Sequence, residues 1–250
     1  MTLLTWGGLA MTSVAAALLL ATNGFGFAVI AVPFFLLLMS ADRAIQLVII
    51  LSLAVSLMMI PRLRDVIDSR LLLRLTVGSI IGLPVGLVVF GYSDPLIVRL
   101  AAGAIIALFA AMLGWNRYRR RPPQVAMRPG FDLGTGAVAG IATGLVGMPG
   151  PPVMIYLMLT AAPMRAVRAT LVAFFALVYA ATLLSDVIFL GVPAADWEIA
   201  ATLLPLIWIG GIAGLRVAEH LNETVAAILS ILVLAVAGFY TLAAAAAALY

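Results

Sequence analysis

The chain has 250 residues, of which 65% are hydrophobic and 10% charged, and none is cysteine. A soluble domain carries about 45–50% apolar and about 25% charged residues, and no globule of this length hides so much apolar surface, so a water-soluble enzyme is excluded. The formal charge of +4 comes from arginines alone, with no lysine; clustered in a few loops, they read as a topology signal and not as a nucleic-acid surface.

Without cysteine there are no disulfides, thiolate metal sites or dithiol redox motifs, and no cofactor is expected. The opening Met1–Met11 lacks a positively charged region, so a cleaved signal peptide is not expected and the first apolar stretch should remain in the mature protein. A bilayer crossing takes about 20 apolar residues. Apolar stretches run over Thr5–Met39, Ala44–Ile60, Leu71–Gly91 and Pro95–Trp115. A polar segment, Asn116–Asp132, follows with Arg117, Arg119, Arg120, Arg121 and Arg128. Apolar stretches resume over Leu133–Thr160, Arg168–Leu190, Ile199–Leu215 and from Thr224 onward. The expected fold is an all-α polytopic membrane protein: a first membrane unit over 1–115, a basic cytoplasmic loop over 116–132 and a second membrane unit over 133–250.

The two units resemble each other. Ala21-Thr-Asn-Gly-Phe-Gly-Phe27 leads through Pro33 to Asp42-Arg43-Ala44; Ala142-Thr-Gly-Leu-Val-Gly-Met-Pro-Gly-Pro-Pro152 leads to Met164-Arg165-Ala166. Gly82-Leu-Pro-Val-Gly86 corresponds to Gly210-Gly-Ile-Ala-Gly214, each followed by a short polar turn, Ser93-Asp94-Pro95 and Asn222-Glu223, and a closing apolar stretch. Such a fixed-order recurrence marks an internal repeat.

The opening stretch of each unit is interrupted, at Asn23–Gly26 and at Gly144–Pro152. Proline costs about 3 kcal/mol in a helix interior and glycine about 1 relative to alanine, so Pro149–Pro152 should end a helix. Bare backbone inside a membrane is tolerated where protein buries it or it lines a watery cavity, and paired breaks in two corresponding halves point to a transporter binding site.

If each broken stretch crossed fully, Arg62, Arg64, Arg70, Arg74, Arg117, Arg119, Arg120, Arg121 and Arg128 would be cytoplasmic, nine against five. If each were a re-entrant hairpin, Arg165, Arg168 and Arg216 would join them and only Arg43 and Arg99 would lie outside, twelve against two. The positive-inside rule prefers the hairpins. Leu133–Thr143, about 16 Å as a helix, suits an arm that stops partway; Thr5–Thr22 is nearly long enough to cross. A hairpin plus three crossings is an odd count, so the units would form an inverted repeat with both termini outside, the rival being eight crossings with cytoplasmic termini.

A helix starting inside the membrane aims free N–H groups and the positive end of its dipole at the cavity. These starts are expected near Phe27–Val29 and Pro151–Met154. Gly24, Gly26, Gly144, Gly147 and Gly150 would let an anion approach the backbone, with amides of Gly147, Met148, Gly150 and Val153 and side-chain donors from Thr22, Asn23 and Thr143. With few carboxylates in the spans, a small oxyanion is the expected cargo. Arg168 and Gln46 occupy equivalent places in the next stretches; Arg168 fits either a bidentate anion ligand or a snorkelling anchor. Asp186 is the acid well inside an apolar run, suited to a coupling proton or to capping beside Gly191-Val-Pro193. Ser52 and Ser56 share a helix face and either line the path or bond their own backbone. His220 lies among Glu219 and Glu223 and reads as solvated. The series Gly78–Gly82–Gly86 and Gly136–Gly140–Gly144 are seams for close helix packing, within the chain or across a homodimer. No Ser/His, paired-aspartate or His-Glu-x-x-His set is present, so catalysis is not expected.

The sequence Gly140-x-x-Thr-Gly-Leu-Val-Gly-Met-Pro-Gly-Pro-Pro152, with the basic mid-chain loop and duplicated halves, resembles the TauE/SafE sulfite-exporter family. The likeness spans almost the whole chain. It implies a multi-pass carrier in a bacterial inner membrane that exports sulfite, an organosulfonate or a related sulfur oxyanion, driven by the proton gradient. The first half departs from the family's consecutive glycines, having Gly24 and Gly26 among Phe25 and Phe27, a bulkier rim suited to an organic sulfonate.

Overall fold

The computed structural model describes residues 3–118, 127–160, 163–220, 231–241 and 243; the side chains at 116–117 and 218–220 are outside that description. Residues 119–126 of the basic segment, the Asn222-Glu223 turn and the His220 side chain therefore lie outside the described residues. The described chain is helical: α1 (Leu3–Asn23), α2 (Phe27–Leu38), α3 (Ala41–Leu63), α4 (Ser69–Tyr92), α5 (Pro95–Tyr118), α6 (Pro129–Val146), α7 (Gly150–Met158), α8 (Met164–Ser185) and α9 (Ala194–His220), then α10 (Ile231–Thr241). Six of the helical stretches are long and apolar enough to cross a bilayer. The protein is a multi-pass, all-α membrane protein.

Local chemistry sets the boundaries. The Asp68 carboxylate accepts from the amides of Arg70 and Leu71, both at 3.1 Å, and starts α4, the usual N-cap arrangement. Proline opens α5 and α6, where its missing N–H costs nothing. Gly147 closes α6 in the left-handed conformation (φ 71°): its amide donates to Thr143 O (2.8 Å) and that of Met148 to Ala142 O (3.4 Å). The first break turns on Gly24 (φ 83°) and Gly26 (φ 111°), values that penalise any side chain.

Both breaks fold back. Gly8 of α1 lies against Leu38 at the end of α2, and the Tyr156 hydroxyl near the end of α7 donates to Asp132 at the start of α6 (2.5 Å). Each opening stretch is therefore a helical hairpin returning to the end of the bundle it came from. At 1.5 Å per residue α1 is about 31 Å long and α6 about 27 Å. The short second arm expected over Leu133–Thr143 is thus corrected: α6 begins at Pro129 and ends at Val146. Its polar first turn is held because Asp132, buried, pairs with Arg74 of α4 at 3.0 Å as well as with Tyr156.

Each hairpin packs on the other half. Gly78, Gly82 and Gly86 of α4 meet the backbone of Leu133, Ala137 and Ile141 in α6, and Gly136, Gly140 and Gly144 meet α4 in return. Ser79 Oγ donates to Gly136 O across the seam (2.8 Å). Gly210 and Gly214 of α9 meet α1 at Val14 and Leu18. These glycine series serve packing within the chain. Between the two seams, α3 packs on α8.

Candidate functional site

The two breaks meet. The starts of α2 (Gly26, Phe27, Ala28, Val29) and of α7 (Gly150, Pro151), with Met148, line one small cavity of about 10 Å³. Leu20, Ser52 of α3, and Phe175 and Tyr179 of α8 complete it. No charged side chain lines it. First-turn amides have no partner within their own helix; here these are the amides of Phe27, Ala28 and Val29 in α2, and of Gly150 alone in α7, because residues 151 and 152 are prolines. The Ser52 hydroxyl, 1% exposed, faces the Tyr179 hydroxyl yet makes no well-formed hydrogen bond. Tyr179 in turn donates to Gly147 O at 3.2 Å.

A second, larger cavity of about 280 Å³ lies on the other side of the Gly144–Met148 turn. Thr143 and Gly144 of α6, Gln46 of α3, and Thr182 and Asp186 of α8 line it. It reaches the end of the bundle where Asp42, Gly191 and Pro193 lie.

The expected site residues divide accordingly. Gly26 and Gly150 line the small cavity. Gly24 turns the first break against the side chain of Arg168, and Asn23 is the half-buried last residue of α1. The amides of Gly147 and Met148, expected to face the ligand, are instead bonded to the end of α6. The hydroxyls of Thr22 and Thr143, expected as ligand donors, instead donate to the carbonyls four residues back, Leu18 (2.7 Å) and Ala139 (2.6 Å), as threonines at helix ends commonly do. Arg168 reaches across the halves to the carbonyl of Ala21, a cation closing the carbonyl end of α1. Gln46 donates to Gly191 O at 3.1 Å and lines the larger cavity with Thr143, Gly144 and Asp186. Thus Arg168 and Gln46, equivalent in sequence, each sit beside the other half's break. Ser52 lines the small cavity; Ser56 is buried without a hydrogen bond.

Tyr179 and Phe175 were missed in the sequence. The available signal was a lone phenol in the apolar run Leu171–Ala181, seven residues before Asp186 on one helix face.

A family model described as sulfite exporter TauE/SafE matches residues 9–241. The chain belongs to the TauE/SafE family. No curated protein and no solved structure matches it. The TauE/SafE match takes in both breaks, both glycine seams and every residue of the two cavities. It places the chain in a family of membrane transporters of sulfur oxyanions.

Proposed function

We propose that the protein is a secondary transporter that exports sulfite, an organosulfonate or a related small sulfur oxyanion across a bacterial inner membrane, holding the anion at mid-membrane between α2 and α7. The single observation that carries this reading is the convergence of two helix starts on one cavity that also receives the buried, unbonded Ser52 hydroxyl. Free amides and a positive helix end favour an anion, and the Ser52 hydroxyl adds a neutral donor. With no arginine or lysine in the lining, a singly charged group such as a sulfonate or bisulfite suits it better than a dianion. At about 10 Å³ the space takes a water-sized guest, so an oxyanion enters when the two breaks part.

The halves form an inverted repeat in this reading. Arg74–Asp132 joins α4 to the second hairpin at the bundle end where α6 begins, whereas Arg43–Asp196 joins the starts of α3 and α9 at the end to which the first hairpin returns. The hairpins thus enter from opposite ends, and the arginine count supports termini on the outer side. Coupling to the proton gradient falls to Asp186, a buried acid in a span.

The test is thermal stabilisation of the purified protein by sulfite, thiosulfate, sulfoacetate, taurine and sulfate, followed by flux in proteoliposomes under an imposed pH gradient. A true ligand at 100 times its Kd adds about 2.7 kcal/mol to the folded state. A sulfur oxyanion that stabilises and is carried supports the reading; stabilisation by none of them, with no flux, removes it.

A further inference from the structure

Asp186 differs from the other buried carboxylates. Asp132 holds Arg74 and Tyr156, and Asp196 holds Arg43. Asp186 is 3% exposed, and among the described residues its carboxylate has no hydrogen bond or ion pair. It opens a π-helical turn, Asp186–Leu190, that continues α8, an irregularity frequent at functional sites. Asp186 lines the 280 Å³ cavity, which reaches one end of the bundle.

The cavity stops at the turn that separates it from the inter-break site: Thr143 and Gly144 line it on one side, Met148 and Gly150 line the small cavity on the other. One face of α8 spans both. Phe175 and Tyr179 lie in the small cavity and Thr182 and Asp186 in the large one, at helical spacings of four, three and four. The seven residues from Tyr179 to Asp186 rise about 10 Å.

Resting on the transport reading above, we propose that Asp186 is a protonation-controlled electrostatic gate on the anion's route. Ionised, it repels an anion moving between the large cavity and the inter-break site; protonated by water from the open end, it lets the anion through. The charged groups around it are few. Asp42 of α3 shares the cavity, and Arg43 of α3 is neutralised by Asp196 of α9. Helices α4 and α6 contribute Leu87, Phe90, Thr143 and Gly144, all uncharged. No unpaired cation in the lining offsets the carboxylate. A unit charge about 10 Å away, at an effective dielectric of about 20, changes the occupancy of an anion site about tenfold.

The probe is methanesulfonate, whose charge, unlike that of sulfite, does not change with pH in this range. Its affinity for the purified full-length protein and its flux in proteoliposomes are measured between about pH 5 and about pH 8, the span over which a desolvated carboxyl titrates. The wild-type protein is expected to bind about tenfold more tightly at the acid end. Asp186→Asn should hold the acid-end affinity at every pH, and Asp186→Glu should keep the slope. A wild-type affinity flat with pH overturns the gate without recourse to any variant, as does a full slope retained in Asp186→Asn; both leave the transport reading standing. Wild-type protein that neither binds nor carries methanesulfonate or bisulfite at any pH overturns the transport reading and the gate with it.

Discussion

Thr22 and Thr143 occupy matching places in the two halves, and each donates its hydroxyl proton to its own helix. Ser52 sits mid-helix on α3 with its oxygen facing the cavity and unbonded. The difference between them lies in which way a helix face points, which residue type alone does not encode. Removing the site's neutral donor should therefore weaken an anion selectively. Ser52→Ala should lower oxyanion affinity about tenfold or more, at about 1.5–3 kcal/mol per hydrogen bond to a charged partner, whereas Thr22→Val should leave it near wild type; titration calorimetry on the purified protein separates the two. At the first break, Gly24→Ala meets both a positive φ of 83° and the Arg168 side chain. It should lower stability by at least about 1–2 kcal/mol and release the cation that closes α1, read as a fall in melting temperature. The glycines and prolines of the breaks were legible because they violate helix propensity. The direction of the Arg168 guanidinium was not, since a bidentate ligand and a carbonyl cap demand the same residue.

At the scale of elements, the break positions read from sequence agree with the structure, with α2 starting at Phe27 and α7 at Gly150. The length of α6 was misread because Pro129–Asp132 is polar, and polarity at a helix start looks like loop until its partners are known. Arg74 and Tyr156, 58 and 24 residues away in sequence, are those partners. Tyr156→Phe should cost about 0.5–1.5 kcal/mol, one hydrogen bond. Asp132→Ala should cost more, because it also strands Arg74, which is discounted by that arginine's 38% exposure; urea or thermal unfolding in detergent ranks them. The α4–α6 seam is less forgiving. A Cβ at Gly140 would sit 2.8 Å from Ser79 Cα, so Gly140→Ala should destabilise by about 1–3 kcal/mol. Gly134, on the same helix with nothing within 4 Å, should accept alanine with a gain of up to about 1 kcal/mol. If both substitutions behaved alike, the seam would not be what holds these helices together.

For the whole molecule, orientation follows from which bundle end carries the arginines, and a chain without cysteine makes that directly measurable. With single cysteines placed at Tyr92 and Ser69, at opposite ends of α4, an impermeant maleimide applied to intact cells should label Tyr92→Cys and spare Ser69→Cys; the reverse pattern would refute outward termini. The glycine series of the two halves were visible in the sequence, but the exchange of partners between halves was not, because glycine spacing announces a close contact without naming the helix opposite. That exchange has a consequence for biosynthesis. Helix α1 leaves the ribosome well before its seam partner α9, which begins at Ala194, so the face of α1 meant for Gly210 and Gly214 must wait in lipid while the seven helices between them are made. Contacts so distant in sequence form late and slowly. A chain stopped after α8 would hold its second hairpin in place against α4 but leave its first one unclasped, a ready substrate for membrane quality control.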